Sequence, residues 1–372
     1  VGLTGSGIAQ LGLLAVVPAY PVEPVAEPPP PDSIPGNRRA GLSAAVTIRA
    51  MRAAVRTTYG PPEVVHITDV PAPEVGPGHV RVAVHATTVN RTDCGFRAAK
   101  PFFIRALTGL VRPRATILGN EFAGIVESVG PGVTRFSAGD WVFGYSPRFG
   151  AHAELLSISA DGPVAAVPGG LPFEDVAPGT EGAHYALSII RKAGISGGQD
   201  VLVNGATGAI GSAAVQLLAD LGARVTAVCG AAHVELVRGL GADRVIDRDA
   251  VDFTKDDHQY DVVFDAVGKS SIGRCRPLLK PRGLFLTTDL GPWSQNAVLP
   301  VVTRLARRRR VMLPTPIENQ EIVEYLRERI ASGRFRPVVD RRYPFEQIVE
   351  AYRYVETGQK VGNVVITVVP RG

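Results

Sequence analysis

Residues 200–221 read DVLVNGATGAIGSAAVQLLADL, and this stretch decides the fold. Asp200–Asn204 is a short, nearly continuous apolar run of strand length, and an apolar-rich segment of helical length continues to Leu221. Between them stands Gly205-Ala206-Thr207-Gly208-Ala209-Ile210-Gly211. A glycine triplet set between a strand and a helix is the fingerprint of a dinucleotide-binding βαβ unit. Gly205 and Gly208 let the backbone turn tightly and approach a pyrophosphate, and Gly211 allows close helix–sheet packing. The helix N-terminus then presents unpaired N–H groups and the positive end of its dipole to the phosphates.

Toward the C-terminus, apolar strands alternate with helical segments: RVTAVCG (224–230), HVELVRGLGA (233–242), RVIDR (244–248), YDVVFDAVG (260–268) and GLFLTTD (283–289). Such a pattern implies a parallel sheet covered on both faces, an α/β doubly wound arrangement. After Pro314 the pattern predicts a helix over 318–332, a strand over 337–340, a helix over 345–356 and a last strand over 363–369. Toward the N-terminus the period changes. Residues 52–57, 80–86, 121–130 and 140–144 alternate or run β-branched between glycine and proline turns, which marks a strand-rich domain. Residues 1–50 differ again, holding eight of the 30 prolines, four of them consecutive at Pro28–Pro31. They read as a disordered, solvated extension ahead of the ordered pattern that opens at Met51. The apolar patch Ile8–Val17 lacks the basic residues that precede a signal-peptide core.

Composition narrows the class. The 372 residues are 45% hydrophobic and 20% charged, enough for about two ordinary domains and a real core. Cys94, Cys229 and Cys275 are few, odd in number and far apart, so a disulfide framework and a four-cysteine zinc cluster are excluded. That usage fits a reducing, cytoplasmic setting. No apolar run reaches the ~18 residues that a membrane span needs. The net charge of +5 is concentrated around Arg304–Arg310, RLARRRR; residues 301–342 carry eleven arginines against five acidic residues. Without interleaved aromatics this reads as a solvated helix end, not a nucleic-acid site. No HExxH or GxSxG motif supports hydrolysis. Gly268-Lys269-Ser270 imitates the end of a phosphate loop, but Val263 stands where the leading glycine would have to be.

The coenzyme is read at the end of the second strand, where an NAD site places a carboxylate against the ribose 2′-OH. Here the position reads Cys229-Gly230-Ala231-Ala232-His233. Loss of the acid removes repulsion against a 2′-phosphate and favours NADP, with NAD left open. His233 and Arg248 are the nearest cationic candidates.

Residues 51–369 resemble the medium-chain dehydrogenase/reductase superfamily, and within it the zinc-independent quinone oxidoreductase (zeta-crystallin-like) branch. The resemblance is carried by TTVNRTD (87–93), LGNEFAGIVESVGPGVTRFSAGDWVFG (118–144), EGAHYAL (181–187), the glycine-loop segment 198–223, and RPVVDRRYPFEQIVEAYRYVETGQKVGNVVI (336–366). It implies a Rossmann domain over 174–315 and a GroES-like β-rich catalytic domain assembled from 51–173 and 316–372, in a homodimer. Zinc-dependent members hold the metal with two Cys and one His. The matching positions here are Asn90, Asn120 and Pro178, whose side groups do not replace thiolate and imidazole around Zn²⁺.

Without metal or a clear acid, the resemblance implies direct hydride transfer from NADPH or NADH to a small hydrophobic acceptor, a quinone or an α,β-unsaturated carbonyl. The cofactor supplies the chemistry and the protein the geometry. Asn90 is then expected on the cleft floor, hydrogen-bonded to the nicotinamide ribose or the acceptor oxygen, with Asp93 orienting its loop. Tyr145 is a candidate donor, and His184 and Tyr185 stand where the superfamily faces the nicotinamide. Val267, Thr288 and Asn363 are placed against the cofactor by the same resemblance. The apolar insertion Lys100–Arg114, with Phe102, Phe103 and Leu107, suits a substrate-pocket wall, or else a self-packed helix without substrate contact. A nucleotide-binding protein of this fold that regulates or scaffolds without turnover is the alternative reading.

Overall fold

The computed structural model describes residues 49–369 apart from 101, 103, 290–295, 297–298, 301, 304–309, 315 and 318. The proline-rich extension up to residue 48, Phe103, the side chain of Leu107 and the arginine run 304–309 lie outside the described residues. Six strands, β8 (Asp200–Asn204), β9 (Arg224–Cys229), β10 (Arg244–Asp247), β11 (Tyr260–Asp265), β12 (Leu279–Thr287) and β13 (Arg310–Met312), form one sheet. Every pairing in it is parallel, in the order β10-β9-β8-β11-β12-β13. The chain builds outward from β8 on one side, then crosses over to start again at β11. That switch point is where ligands bind in open α/β sheets.

All five residues of β8 are buried, which explains the apolar run Val201–Val203 between Asp200 and Asn204. Alternate side chains serve opposite faces. Leu202 joins Val228, Phe285 and Leu278 on one side. Val201 and Val203 join Val225, Ala213 and Leu217 on the other, where helix α3 (Ala209–Asp220) lies. Each such fully buried Val or Leu contributes about 1.5–3 kcal/mol.

Among the described residues a second sheet has seven strands. It takes β3 (His79–Val89), β4 (Glu121–Val129), β5 (Trp141–Tyr145), β6 (Leu155–Ser159) and β7 (Val164–Ala166) from before the parallel sheet. It takes β14 (Val339–Pro344) and β15 (Asn363–Thr367) from after it. The order is β14-β15-β3-β4-β5-β7, with β6 also on β3. The chain therefore leaves this sheet, builds the parallel one, and returns antiparallel to β3 through β15. A hairpin of β1 (Ala50–Val55) and β2 (His66–Pro71) packs alongside.

Helix α4 (Gln320–Ala331) lies between the two sheets, packed on β7 as well as on the helices of the parallel sheet, in a core that includes Phe143 and Ala165. Its buried residues Ile322, Val323, Leu326 and Ile330 share one core with α3 and with helix α2 (Glu181–Ala193). Arg329 pairs with Asp220 at 3.2 Å, and Gln216 Oε1 accepts the Arg336 N–H at 2.9 Å. Only from β14 onward does the chain rejoin the seven-stranded sheet. No described helix is long and apolar enough to cross a membrane.

Candidate active site

The first wall of the site is backbone. β8 ends in Gly205, whose φ of +82° is a left-handed conformation and whose absent Cβ would run into Val267, just beyond β11. The Gly205 and Ala206 N–H groups donate to Val228 O at 3.2 and 3.1 Å, so the loop is tied to β9. Asn204 Nδ2 donates to Asp265 Oδ1 at 3.0 Å, clamping β8 to β11 beneath it. Gly208 caps α3, and a Cβ on Gly211 would overlap Gly205 O, which fixes how closely the helix approaches the strand. Thr207 O accepts the Gly362 N–H at 2.6 Å, and Gly208 and Gly362 form a parallel bridge. The chain that leads into β15 is thus fastened directly to the glycine loop.

At the far end of β9, Cys229 is fully buried and His233 sits on a surface turn. Arg248 is largely exposed, its Nε 3.7 Å from Asp249 Oδ1. Asp249 Oδ2 in turn accepts the Ala231 N–H at 3.1 Å. A carboxylate therefore does reach the segment after β9, but from the end of β10; the spacing along β9 itself gave no sign of it. Thr288 is buried with its Oγ1 unpartnered. Asn363 turns its amide to Val338 O at 3.1 Å, so the contact with the loop is made by its neighbour Gly362.

The second wall is built of side chains. β3 runs into helix α1 (Arg91–Ala98) through Asn90, the N-cap of a capping box: Asn90 Oδ1 accepts the Asp93 N–H at 2.9 Å, and Asp93 Oδ2 accepts the Asn90 N–H at 3.0 Å. Asn90 Nδ2 donates to Asn120 Oδ1 at 2.7 Å, and Asp93 Oδ1 accepts the Gly119 N–H at 3.0 Å. Asp93 is wholly buried; desolvation pushes its carboxyl up to about 7. Behind it His152 Nε2 donates to Thr88 O at 2.8 Å, and its Nδ1 accepts the Tyr352 hydroxyl at 3.2 Å. Burial holds His152 down at about 4, so it is neutral at pH 7. Asp93 thus orients the Asn90 loop from below and does not border the cleft.

Glu121 follows Asn120 and caps helix α2. Its Oε1 accepts the Glu181 N–H at 2.6 Å and the Thr180 N–H and hydroxyl at 3.1 Å each, and its Oε2 accepts the Thr88 hydroxyl at 2.5 Å. The Glu181 carboxyl faces the Thr92 and Asn120 side chains. Burial pushes both carboxyls upward. The four donors on Glu121 work against that rise, whereas the neighbouring Glu121 charge adds to it at Glu181. On α2, the His184 ring lies between Tyr145 and Tyr185, with centroids at 4.6 and 4.4 Å. Burial lowers His184 to about 4; its Nδ1 bonds Thr180 O at 3.1 Å and its buried Nε2 has no partner.

The two walls border a narrow cleft that is partly open to solvent. Asn90, Thr92, Glu181, Tyr185, Ile210 and Lys360 line it. The cleft brings Asn90 and Tyr185 together with the glycine loop. Tyr145 stands behind His184, and Phe102 is 73% exposed against the Arg105 guanidinium, away from the cleft lining. Arg105 also stacks on Tyr59, so the start of the insertion folds against its own surface. Glu181 and Lys360 were not singled out by the sequence. Their one available signal was an acidic residue opening an otherwise apolar helix, EGAHYAL, and a lysine two residues before the loop contact at Gly362. Among the described residues, no cluster of three His, Cys, Asp or Glu forms a metal site.

Residues 76–169 match the family described as alcohol dehydrogenase GroES-like domain, and residues 240–366 that described as zinc-binding dehydrogenase. A 2-methylene-furan-3-one reductase of Solanum lycopersicum is 28% identical over 333 residues, covering 86% of this chain and 80% of its own. A chloroplastic NADPH-dependent alkenal/one oxidoreductase of Arabidopsis thaliana is 28% identical over 353 residues, covering 88% of this chain and 84% of its own. The solved quinone oxidoreductase of Coxiella burnetii superposes with a TM-score of 0.77 at 25% identity, over 86% of this chain and all of its own. The sheet that the chain leaves and re-enters, the β10-β9-β8-β11-β12-β13 order and the glycine loop at its switch point agree with these matches. The chain belongs to the medium-chain dehydrogenase/reductase superfamily and is of its quinone oxidoreductase type.

Proposed function

We propose that the chain reduces quinones or α,β-unsaturated carbonyls with a nicotinamide cofactor, preferring NADPH, and that it does so without zinc. The carrying observation is the pairing of walls: Ala209 and Ile210 of the glycine loop at the switch point share one cleft lining with Asn90, whose amide is held by Asn120. The segment Gly205–Gly211 and the N-terminus of α3 would hold the pyrophosphate. A reduced nicotinamide bound there supplies hydride. Ile210 and Tyr185 narrow the cleft and exclude water from the reacting atoms. The Asn90 amide is fixed by Asp93 and Asn120, which leaves its second Nδ2 hydrogen to meet a ribose hydroxyl or an acceptor oxygen.

Zinc does not fit the donor set. Its three superfamily positions are Asn90, Asn120 and Pro178, and the first two spend their side chains on each other. The relatives named for NADPH-dependent alkenal/one reduction and for quinone reduction support the acceptor class. For the coenzyme, Arg248 Nη2 comes within 3.7 Å of the position a Cβ on Gly230 would take, and Asp249 Oδ2 within 3.0 Å. Arg248 favours a 2′-phosphate and Asp249 opposes it.

The test is loss of dihydronicotinamide absorbance with NADPH and NADH across a panel of quinones and enones, with and without a strong chelator. Chelator-resistant turnover with NADPH is expected. Tight cofactor binding without turnover on any acceptor would overturn the enzymatic reading, and chelator-sensitive turnover would overturn the zinc-independent one.

A further inference from the structure

We propose that Glu181 is the proton donor of this enzyme, delivering its carboxyl proton to the α-carbon of an unsaturated carbonyl after hydride reaches the β-carbon. The assignment rests on the acceptor class proposed above and identifies which group completes the reduction.

Position argues first. Glu181 opens α2, and Glu121 holds its backbone N–H at 2.6 Å. The next residue, Gly182, packs so tightly on the glycine loop that a Cβ there would lie 2.7 Å from the Ala209 carbonyl. Glu181 is therefore locked against the loop that would carry the cofactor, and it shares the cleft lining with Ile210 and Asn90. A buried polar atom beside it, Asn120 Nδ2, faces its carboxyl and has no other hydrogen-bond partner. The charged groups around it come from three elements: Glu121 of β4, Asp93 and Arg91 of α1, and Lys360 of the segment before β15. Burial, then the charges of Glu121 and Asp93, keep the Glu181 carboxyl protonated well above the ordinary carboxylate range. A carboxyl pushed upward in this way, at the lining of the cleft, is suited to act as a general acid.

The step balances. Hydride from the dihydronicotinamide forms the Cβ–H bond with two electrons, and the alkene π pair moves to leave an enolate. The Glu181 O–H bond breaks, the Cα–H bond forms and the carbonyl is restored. The products are the saturated carbonyl, oxidised cofactor and a Glu181 carboxylate. Asn120 Nδ2 and the Lys360 ammonium face that carboxylate, and solvent at the open side of the cleft returns the proton. A quinone needs protons only on oxygen, which water supplies, so the two acceptor types separate the roles.

The full chain and its Glu181→Gln variant are assayed with NADPH in deuterated water on an α-methyl cyclic enone and on a naphthoquinone. The variant should lower enone kcat by ~10²–10⁴-fold, far more than quinone kcat, and should lose single-handed deuterium delivery at Cα. Equal loss on both acceptors, or enone turnover with unchanged rate and handedness, overturns the assignment. So does a wild-type enzyme that reduces the quinone and not the enone. Wild-type turnover of neither overturns the parent reading and this one together. Should Glu181→Gln fail to fold, Lys360→Met decides: loss of the nearby cation should move the alkaline limb of enone kcat upward in pH, and an unmoved limb overturns the proposal.

Discussion

The two walls of the cleft are made of different material. On the parallel-sheet side the site is backbone, shaped by what glycines permit between β8 and α3. On the other side it is a chain of buried polar side chains, Asn90, Asn120, Glu121 and Glu181, drawn from three separate elements and linked by hydrogen bonds. A backbone wall is broken by adding one atom. A side-chain wall is broken by removing one partner and leaving the other buried and unsatisfied.

The largest effect is expected on the backbone wall. Gly211→Val puts a branched side chain into Gly205 O, a backbone atom that moves only if the whole loop moves. The expected outcome is a stability loss at or above the roughly 1–3 kcal/mol of ordinary overpacking, with cofactor binding abolished, read by thermal melting and by cofactor titration. Gly208→Ala is the internal control, since a Cβ there meets Gly205 O at 3.6 Å, an ordinary contact. It should melt within about 1 kcal/mol of wild type, so any lost cofactor affinity reports the approach of the pyrophosphate itself.

Glu121→Gln is the matching attack on the other wall. An amide keeps the shape but turns one acceptor oxygen into a donor against Thr180, Glu181 or Thr88. Hydrogen bonds to a charged group are worth about 1.5–3 kcal/mol, and a loss of that size, measured by denaturant unfolding, is expected. A loss near zero would mean that the helix end is satisfied by water, and the contrast between the walls would weaken.

This difference in material also explains what the sequence revealed. The glycine loop is local: strand, turn and helix are contiguous, so spacing alone placed Gly205, Gly208 and Gly211. Asn90 and Asn120 could be named through the family resemblance, because both stand in short motifs. Glu181 was not, since a glutamate that opens a helix ordinarily points to water, and only the fold brings Glu121 from 60 residues away to occupy its N–H. Asp249 was hidden for the same reason: it approaches Ala231 across 18 residues and from a different strand. Phe102 misled in the opposite sense. Its apolarity suggested a pocket, whereas Arg105 offers its ring a cation on the surface.

Asp93 sharpens the comparison through pH. Burial lifts its native pKa to about 7 from the ordinary 3.8, so between those values the folded chain keeps a proton that the unfolded chain has released. Stability should therefore fall as pH rises across that window and level off above it, with a slope of up to roughly 1.4 kcal/mol per pH unit. Asp93→Asn removes the titration and should flatten that slope in melts taken from pH ~4 to ~7. It also lowers stability throughout, because its amide oxygen alone replaces two oxygens that accept from Asn90 and Gly119. A slope that survives the substitution would assign the titration to another buried carboxyl, with Glu181 the first to examine.

The smallest effect is expected at Phe102. Its ring lies outside the cleft lining and rests on Arg105, an exposed contact of about 0.5–1 kcal/mol at most. Phe102→Ala should then change melting by less than that and leave acceptor KM within about twofold. A large rise in KM with unchanged kcat would mean that the insertion folds over the cleft when an acceptor binds. The acceptor would then meet a third wall, made neither of backbone nor of a buried network, but of a surface segment that closes on it.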